Sequence, residues 1–307
     1  MAVLQRAASP PIIKALCRAS SRTRMDVSDQ SPARLFDRRA WRQHRDRAAG
    51  GVDFLHREVA GRLIDRLDLV NRDFAKILDL GARDCGMAGA LAERGAYSVV
   101  IAAEPSLKLL KNAPAPRVVA DPELIPFAAA SFDLVMSCLA LHWCADLPGA
   151  LIQLCRALQP DGLLLAAMLG GNTLVELRTA LFEAELAEEG GVSPRVSPTA
   201  ELGDIASLLQ RAGFAMPVAD SETITVTYPD MLALIHDLRR MGETNALGAR
   251  RRYLSRATLA RAGAIYAERF SNADGRILAT FEILFLTGWA PHADHAKPRP
   301  GPRRQIA

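Results

Sequence analysis

At 307 residues, half of them hydrophobic and 23% charged, the chain has material for one large domain or two and reads as a soluble globular protein. No apolar run reaches the roughly 18–20 uncharged residues that a membrane helix needs. The formal charge of +4 sits at the ends. Arg6, Lys14, Arg18, Arg22 and Arg24 fall within residues 1–25, and Lys297, Arg299, Arg303 and Arg304 follow Asp294, with no acid in either stretch; the body keeps 29 basic against 34 acidic residues, which disfavours a nucleic-acid-binding protein.

The Arg- and Ser-rich start has the pattern of a mitochondrial transit peptide. It also fits an upstream extension before a true start at Met25, and the Ala/Arg-heavy composition favours that second reading, with a bacterial cytoplasm over a mitochondrial matrix. Residues 1–30 and 292–307 are expected to be disordered basic extensions. Cys17, Cys85, Cys138, Cys144 and Cys155 are odd in number and show no C-x-x-C pair, so a reducing compartment and buried free thiols are expected.

Residues 31–69 read as one or two helices, with Phe36, Trp41, Phe54, Leu55, Val59, Leu63, Ile64 and Leu67 as apolar positions at helical spacing. Their arginines, Arg34, Arg38, Arg39, Arg42, Arg45 and Arg47, form either a solvated helix face or a grip for an acidic partner. Strands and helices then alternate: strand 76–80, helix 86–94, strand 98–103, helix 106–112, strand 118–120, strand 132–138 and helix 148–158. Gln159-Pro160-Asp161-Gly162 reads as a turn before strand 163–169. Such alternation predicts a parallel sheet covered on both faces. Asp79, Glu104 and Asp121 end three successive strands. They would therefore gather at the carboxyl edge of that sheet, where open α/β folds bind ligands.

Beyond Asn172 the pattern changes. Helix 174–188, a Gly/Pro/Ser loop, helix 200–212 stopped at Gly213 and strand 222–228 come first. Residues 230–270 form two helices rich in arginine (Arg239, Arg240, Arg250, Arg251, Arg252), and the turn at 272–275 leads to a last strand, 280–289. Two strands flanking a helical excursion suggest a lid mounted on the sheet.

The set LDLG, AAEPS, VVADPELIPFAAASFDLVMSCLALHWCADLP and RALQPDGLLLAAM resembles the class I S-adenosylmethionine-dependent methyltransferases over about residues 75–168. GGNTLVELR, EEGGVSPRVSP, LLQRAGF and DLRRMGETNA resemble, within that superfamily, the complex I assembly factors described as arginine hydroxylases and their bacterial relatives. With FDRRAWRQHRDRAA this likeness runs from about residue 35 to 291. A wider likeness is to the malonyl-carrier-protein O-methyltransferases of biotin synthesis.

The resemblance implies a doubly wound, mostly parallel, seven-stranded α/β sheet in a domain spanning 31–291. A helical cap (31–70), a cofactor core (75–170) and a substrate side with lid (171–291) would make it up. It implies S-adenosylmethionine as cofactor, with Glu104 accepting the ribose hydroxyls, Asp121 facing the adenine with the backbone at Pro122 and Glu123, and Asp79 holding either the loop or the methionyl ammonium. Gly81, Ala82, Arg83 and Leu139 would line the same site, His142 and Trp143 would stand over the reacting group, and Arg195, Tyr228 and Glu243 would meet the substrate.

The glycine loop departs from the family, since Ala82, Arg83 and Cys85 stand where Cys, Gly and Gly are usual. A side chain at 83 is expected to force a negative φ and to crowd the methionyl end, unless Arg83 pairs with its carboxylate. No two-His-one-carboxylate set is visible: His142 and Asp146 share a loop, whereas His44, His56 and His236 lie far off in sequence. Hydroxylation therefore rests on resemblance alone. The implied partner is a protein, a complex I subunit, with no nucleic acid and with peripheral membrane association open. The rivals are carrier-protein O-methylation and a non-catalytic assembly chaperone.

Overall fold

The computed structural model describes residues 35–49, 51, 53–95, 97–112, 116–248 and 253–292. The basic termini, Cys17, Arg34 and Arg250 to Arg252 lie outside the described residues.

Two helices open the chain, α1 (Arg38–Ala48) and α2 (Phe54–Asp68). Asp37 and Asp53 cap them by accepting hydrogen bonds from first-turn amides, which are otherwise orphaned at a helix start. The alternating region follows as β1 (Lys76–Leu80), α3 (Gly86–Glu93), β2 (Val99–Ala103), β3 (Arg117–Val118), β4 (Phe132–Cys138), α4 (Leu147–Ala157) and β5 (Leu158–Leu169). Then come α5 (Val175–Glu189), α6 (Leu202–Arg211), β6 (Ala215–Tyr228), α7 (Met231–Met241), α8 (Arg256–Phe270) and β7 (Ile277–Trp289).

One seven-stranded sheet has the order β3-β2-β1-β4-β5-β7-β6. β1 to β5 are parallel, and β7 runs antiparallel to both β5 and β6. The chain winds outward from β1 through β2 to β3, then returns to place β4 on β1's other side. That reversal places the topological switch point, where open α/β sheets bind ligands, at the carboxyl ends of β1 and β4.

Side chains alternate across the sheet because the strand period is two. Ile77, Leu134 and Leu163 face the apolar layer under α2, α3, α5, α7 and α8, whereas Leu78, Val135 and Leu164 face the layer under α4 and α6. A third, small cluster of Phe36, Trp41, Trp143, Ala246 and Leu247 joins the first helix to the segment after α7.

Four local expectations are corrected. The helix expected over 106–112 is a single 3-10 turn, Leu109–Asn112, whose first amide donates to the Ser106 hydroxyl at 3.3 Å. β3 is Arg117–Val118, paired with Ala102 and Ala103, and does not extend over 118–120. The Gln159–Gly162 turn does not precede β5 but lies within it: Asp161 has φ +60 and the register shifts between Phe132 and Leu134. β6 begins at Ala215 because β7 offers it a partner over almost its whole length. Helices α7 and α8 leave and rejoin this antiparallel pair.

Candidate active site

The switch point is built around a turn that only glycine tolerates. Gly81 has φ +74, and a Cβ there would lie 2.2 Å from the Ala140 Cβ at the end of β4. Its N–H and that of Ala82 both donate to the Ala103 carbonyl at 2.7 and 3.1 Å, which draws the β1 and β2 ends together. Asp79, just before, is fully buried. One of its oxygens accepts from the Ala88 N–H at 3.1 Å, while Oδ1 has no hydrogen-bond partner among the described residues. Burial lifts its pKa from 3.8 to about 8.

The expectation that a side chain at 83 forces a negative φ is overturned. Arg83 has φ +51 and Cys85 φ +62, so both take the left-handed conformation that glycine would take elsewhere. That costs about 1–2 kcal/mol per residue, and two buried contacts offset it at Arg83. Its N–H donates to Glu104 at 3.0 Å, and its Nε pairs with Asp53 Oδ2 at 2.6 Å. The guanidinium is therefore held by the protein's own carboxylate.

Glu104 directly follows β2, Asp121 lies three residues beyond the short β3, and both meet arginines of α1. Arg45 donates to Glu104 through Nε at 2.8 Å and Nη2 at 2.6 Å, with both side chains essentially inaccessible to solvent. Burial opposes the Arg45 charge, and Glu104 more than offsets this, so its pKa is raised. Arg38 donates to Asp121 through Nε at 2.9 Å and through Nη2, and its Nη1 donates to the Trp143 carbonyl at 2.6 Å. The arginine-rich helix is thus not a uniformly solvated face: Arg39, Arg42 and Arg47 are exposed, but Arg38 and Arg45 turn inward. Pro122 is buried beside Asp121. Leu139, buried with φ +48, donates its N–H to the Ala167 carbonyl at 2.8 Å.

On the other side of Trp143 lies a cavity of about 830 Å³. His142 and Trp143, in a 3-10 turn after β4, line it together with Glu243, which follows α7. Glu243 Oε2 accepts from the Trp143 indole N–H at 2.9 Å and contacts His142 Nε2 at 3.1 Å. Burial alone would raise the Glu243 carboxyl, but the His142 contact and the charges of Arg45 and Arg83 hold it below its ordinary value. His142 Nδ1 is buried with no hydrogen-bond partner among the described residues. Leu177, Leu181, Ile235 and Leu238 supply apolar walls, and Arg47, Arg239 and Arg240 supply cations.

Arg195 also lines this cavity and is paired with Glu185. Tyr228 does not line it: its hydroxyl donates to Asp237 Oδ2 at 2.9 Å, tying the end of β6 to α7. Among the described residues no group of three or more His, Cys, Asp or Glu side chains is placed to share a metal ion.

Sequence reasoning did not single out Asp53, or Arg38 and Arg45 as members of the site. For the arginines a signal existed: Arg38, Trp41 and Arg45 follow i, i+3, i+7 spacing, the inward stripe of a helix.

A methyltransferase-domain model matches residues 78–166. The chain is 41% identical over 290 residues to arginine-hydroxylase NDUFAF5, mitochondrial, of Danio rerio, covering 92% of this chain and 90% of that protein. It is 37% identical over 284 residues to the malonyl-[acyl-carrier protein] O-methyltransferase of Methylovorus sp. (strain MP688), covering 87% and 93%. Among solved structures, YcgJ protein from Bacillus subtilis superposes with a TM-score of 0.54 over 77% of this chain and 99% of that one, at 15% identity; that likeness concerns the fold alone.

Proposed function

The chain belongs to the S-adenosylmethionine-dependent methyltransferase superfamily, and from that premise we propose that it modifies an arginine side chain of a protein, a respiratory complex I subunit under assembly. The observation that carries this reading is Glu243, an ionised carboxylate at an apolar cavity, steered by two donors that leave its second oxygen uncommitted. A guanidinium on an aliphatic stem matches that combination, because the stem meets leucine walls and the planar head meets a carboxylate. The name of the NDUFAF5 relatives and the lid motif containing Glu243 support the same substrate class.

The superfamily cofactor supplies a methyl group already activated on a sulfonium. On this reading Asp79 would hold the ammonium through its unpartnered oxygen, and the missing Cβ of Gly81 would let backbone approach the methionyl end. Glu104 and Asp121, with Pro122 and Leu139 beside them, would take the ribose and adenine. Those two acids do not fit that task while Arg45 and Arg38 hold them. His142 and Trp143 would orient Glu243 between the cofactor side and the cavity.

Mass spectrometry of complex I subunits from cells with and without the gene tests the proposal. An arginine heavier in the parent than in the deletion strain is expected, by one methylene unit if the sulfonium methyl is transferred or by one oxygen if dioxygen and an external two-electron reductant serve as co-substrates, and Glu243→Gln should fail to restore it. Subunits with identical arginine masses in both strains would defeat the proposal.

A second reading, carrier-protein O-methylation, draws on the Methylovorus relative and on Arg47, Arg239 and Arg240, which would suit an acyl carboxylate. Biotin auxotrophy of the deletion strain would favour it. The saturated Glu104 favours the third, a non-catalytic assembly chaperone, for which neither phenotype would appear but complex I would still be lost. No helix among the described residues is long and apolar enough to cross a membrane. A site of action in the bacterial cytoplasm, or in a mitochondrial matrix, goes with the complex I reading.

A further inference from the structure

We infer that α1 is an internal gate: Arg45, Trp41 and Arg38 occupy the ribose and adenine anchor points of the cofactor site, and the cofactor binds only after they withdraw. The inference rests on the superfamily cofactor assigned above, and it begins from a count of acceptors. A carboxylate offers about four lone-pair positions. At Glu104 all four are engaged: Oε1 accepts from Arg45 Nε at 2.8 Å and from the Ser106 N–H at 3.0 Å, and Oε2 accepts from Arg45 Nη2 at 2.6 Å and from the Arg83 N–H at 3.0 Å. Two of these donors are backbone amides of the β1 and β2 turns and belong to the rim itself. The other two belong to one guanidinium, which presents a pair of parallel N–H groups as a ribose diol presents a pair of O–H groups. The exchange is therefore one for one, and both cannot be present together.

Asp121 repeats the pattern. Its Oδ1 accepts from the Glu123 N–H at 3.0 Å and from Arg38 Nη2, and Oδ2 accepts from Arg38 Nε at 2.9 Å. Both guanidinium groups pack on the Trp41 ring, with Arg38 Cζ 4.2 Å and Arg45 Cζ 5.4 Å from its centroid. A flat aromatic packed against two donors to Glu104 and Asp121 has the layout of a nucleoside. The indole N–H is buried and unpartnered among the described residues, so the plug is imperfectly satisfied in this place. Its other ties run both to the sheet edge, where the Ser106 hydroxyl donates to Asp46 Oδ1 at 2.5 Å, and to the segment after α7, where the Asp37 N–H donates to the Ala246 carbonyl and His44 meets Thr244 at 2.9 Å. Opening α1 would thus also disturb the segment that carries Glu243, which links cofactor binding to the substrate cavity.

If only a fraction of molecules is open, apparent affinity falls by that fraction, and weakening the gate restores it. Calorimetric titration of the full chain with S-adenosylhomocysteine, for wild type, Arg38→Gln and Arg45→Gln, tests this. Tightening by about tenfold in either variant is expected. Unchanged or weaker binding in the folded variants would overturn the gate while leaving the cofactor reading intact. No binding by any of the three would overturn both. Arg38→Gln keeps the test usable if Arg45→Gln does not fold, because the Arg38–Asp121 pair is partly solvated. Hydrogen exchange on the unaltered protein supplies a second readout: saturating ligand should speed exchange over residues 38–48, and unchanged or slower exchange there would contradict withdrawal of the helix.

Discussion

Asp79 shows how the burial of one carboxyl group costs stability. It is buried, half-partnered, and titrates near 8 by burial. With its folded pKa above the unfolded value, its contribution is fully present below pH 3.8 and is lost as pH rises toward about 8, because the unfolded chain releases the proton and the folded one keeps it. Asp79→Asn removes that linkage. It should raise stability by about 1–3 kcal/mol at pH 8 relative to wild type and leave little difference near pH 4. Thermal melts across this range check it, and a pH-independent difference would mean that Asp79 is charged in the fold. His56 behaves alike in cause and opposite in sign: burial drives its pKa to about 3, so it stays neutral at physiological pH beside Arg83.

At the scale of elements, the β1–α3 turn shapes the switch point. Two residues with side chains, Arg83 and Cys85, occupy left-handed positions there, and Glu104 and Asp53 hold the strain at Arg83. Gly81 is different, because its constraint is a collision as well as a dihedral. Gly81→Ala should cost about 2–4 kcal/mol, measured by chemical denaturation. Pairing it with Ala140→Gly removes the 2.2 Å clash but not the φ of +74, so partial rescue is expected. Complete rescue would show that the dihedral carries no cost, and no rescue would show that the close approach does not matter. The sheet itself was legible from alternation and apolar runs. Its corrected parts are the 3-10 turn at 109–112 and the long β6, where a strand neighbour overrides local pattern.

For the whole molecule, cap, sheet edge and the segment after α7 meet in one place. Phe36, Trp41, Trp143, Ala246 and Leu247 join three segments far apart in sequence, and Phe36 packs edge-on to Trp143 at 5.3 Å. Phe36→Ala should release α1 without unfolding the sheet, since this cluster is separate from the two main layers. Limited proteolysis should then cut near residues 38–48 at least about tenfold faster, while the main thermal transition moves by only a few degrees. A shift of the whole transition, with no local cleavage, would mean that the cap folds as part of the core. The chain's order of strands, the glycine turn and the three rim acids follow from its sequence, because strand period, turn chemistry and the position of an acid after an apolar run are local properties. The pairing of those acids with Arg38 and Arg45, the capture of Arg83 by Asp53 and the meeting of Glu243 with His142 and Trp143 were decided only in three dimensions. Each joins residues from about 30 to more than 100 positions apart, and no local preference of either partner specifies which opposite charge it will find.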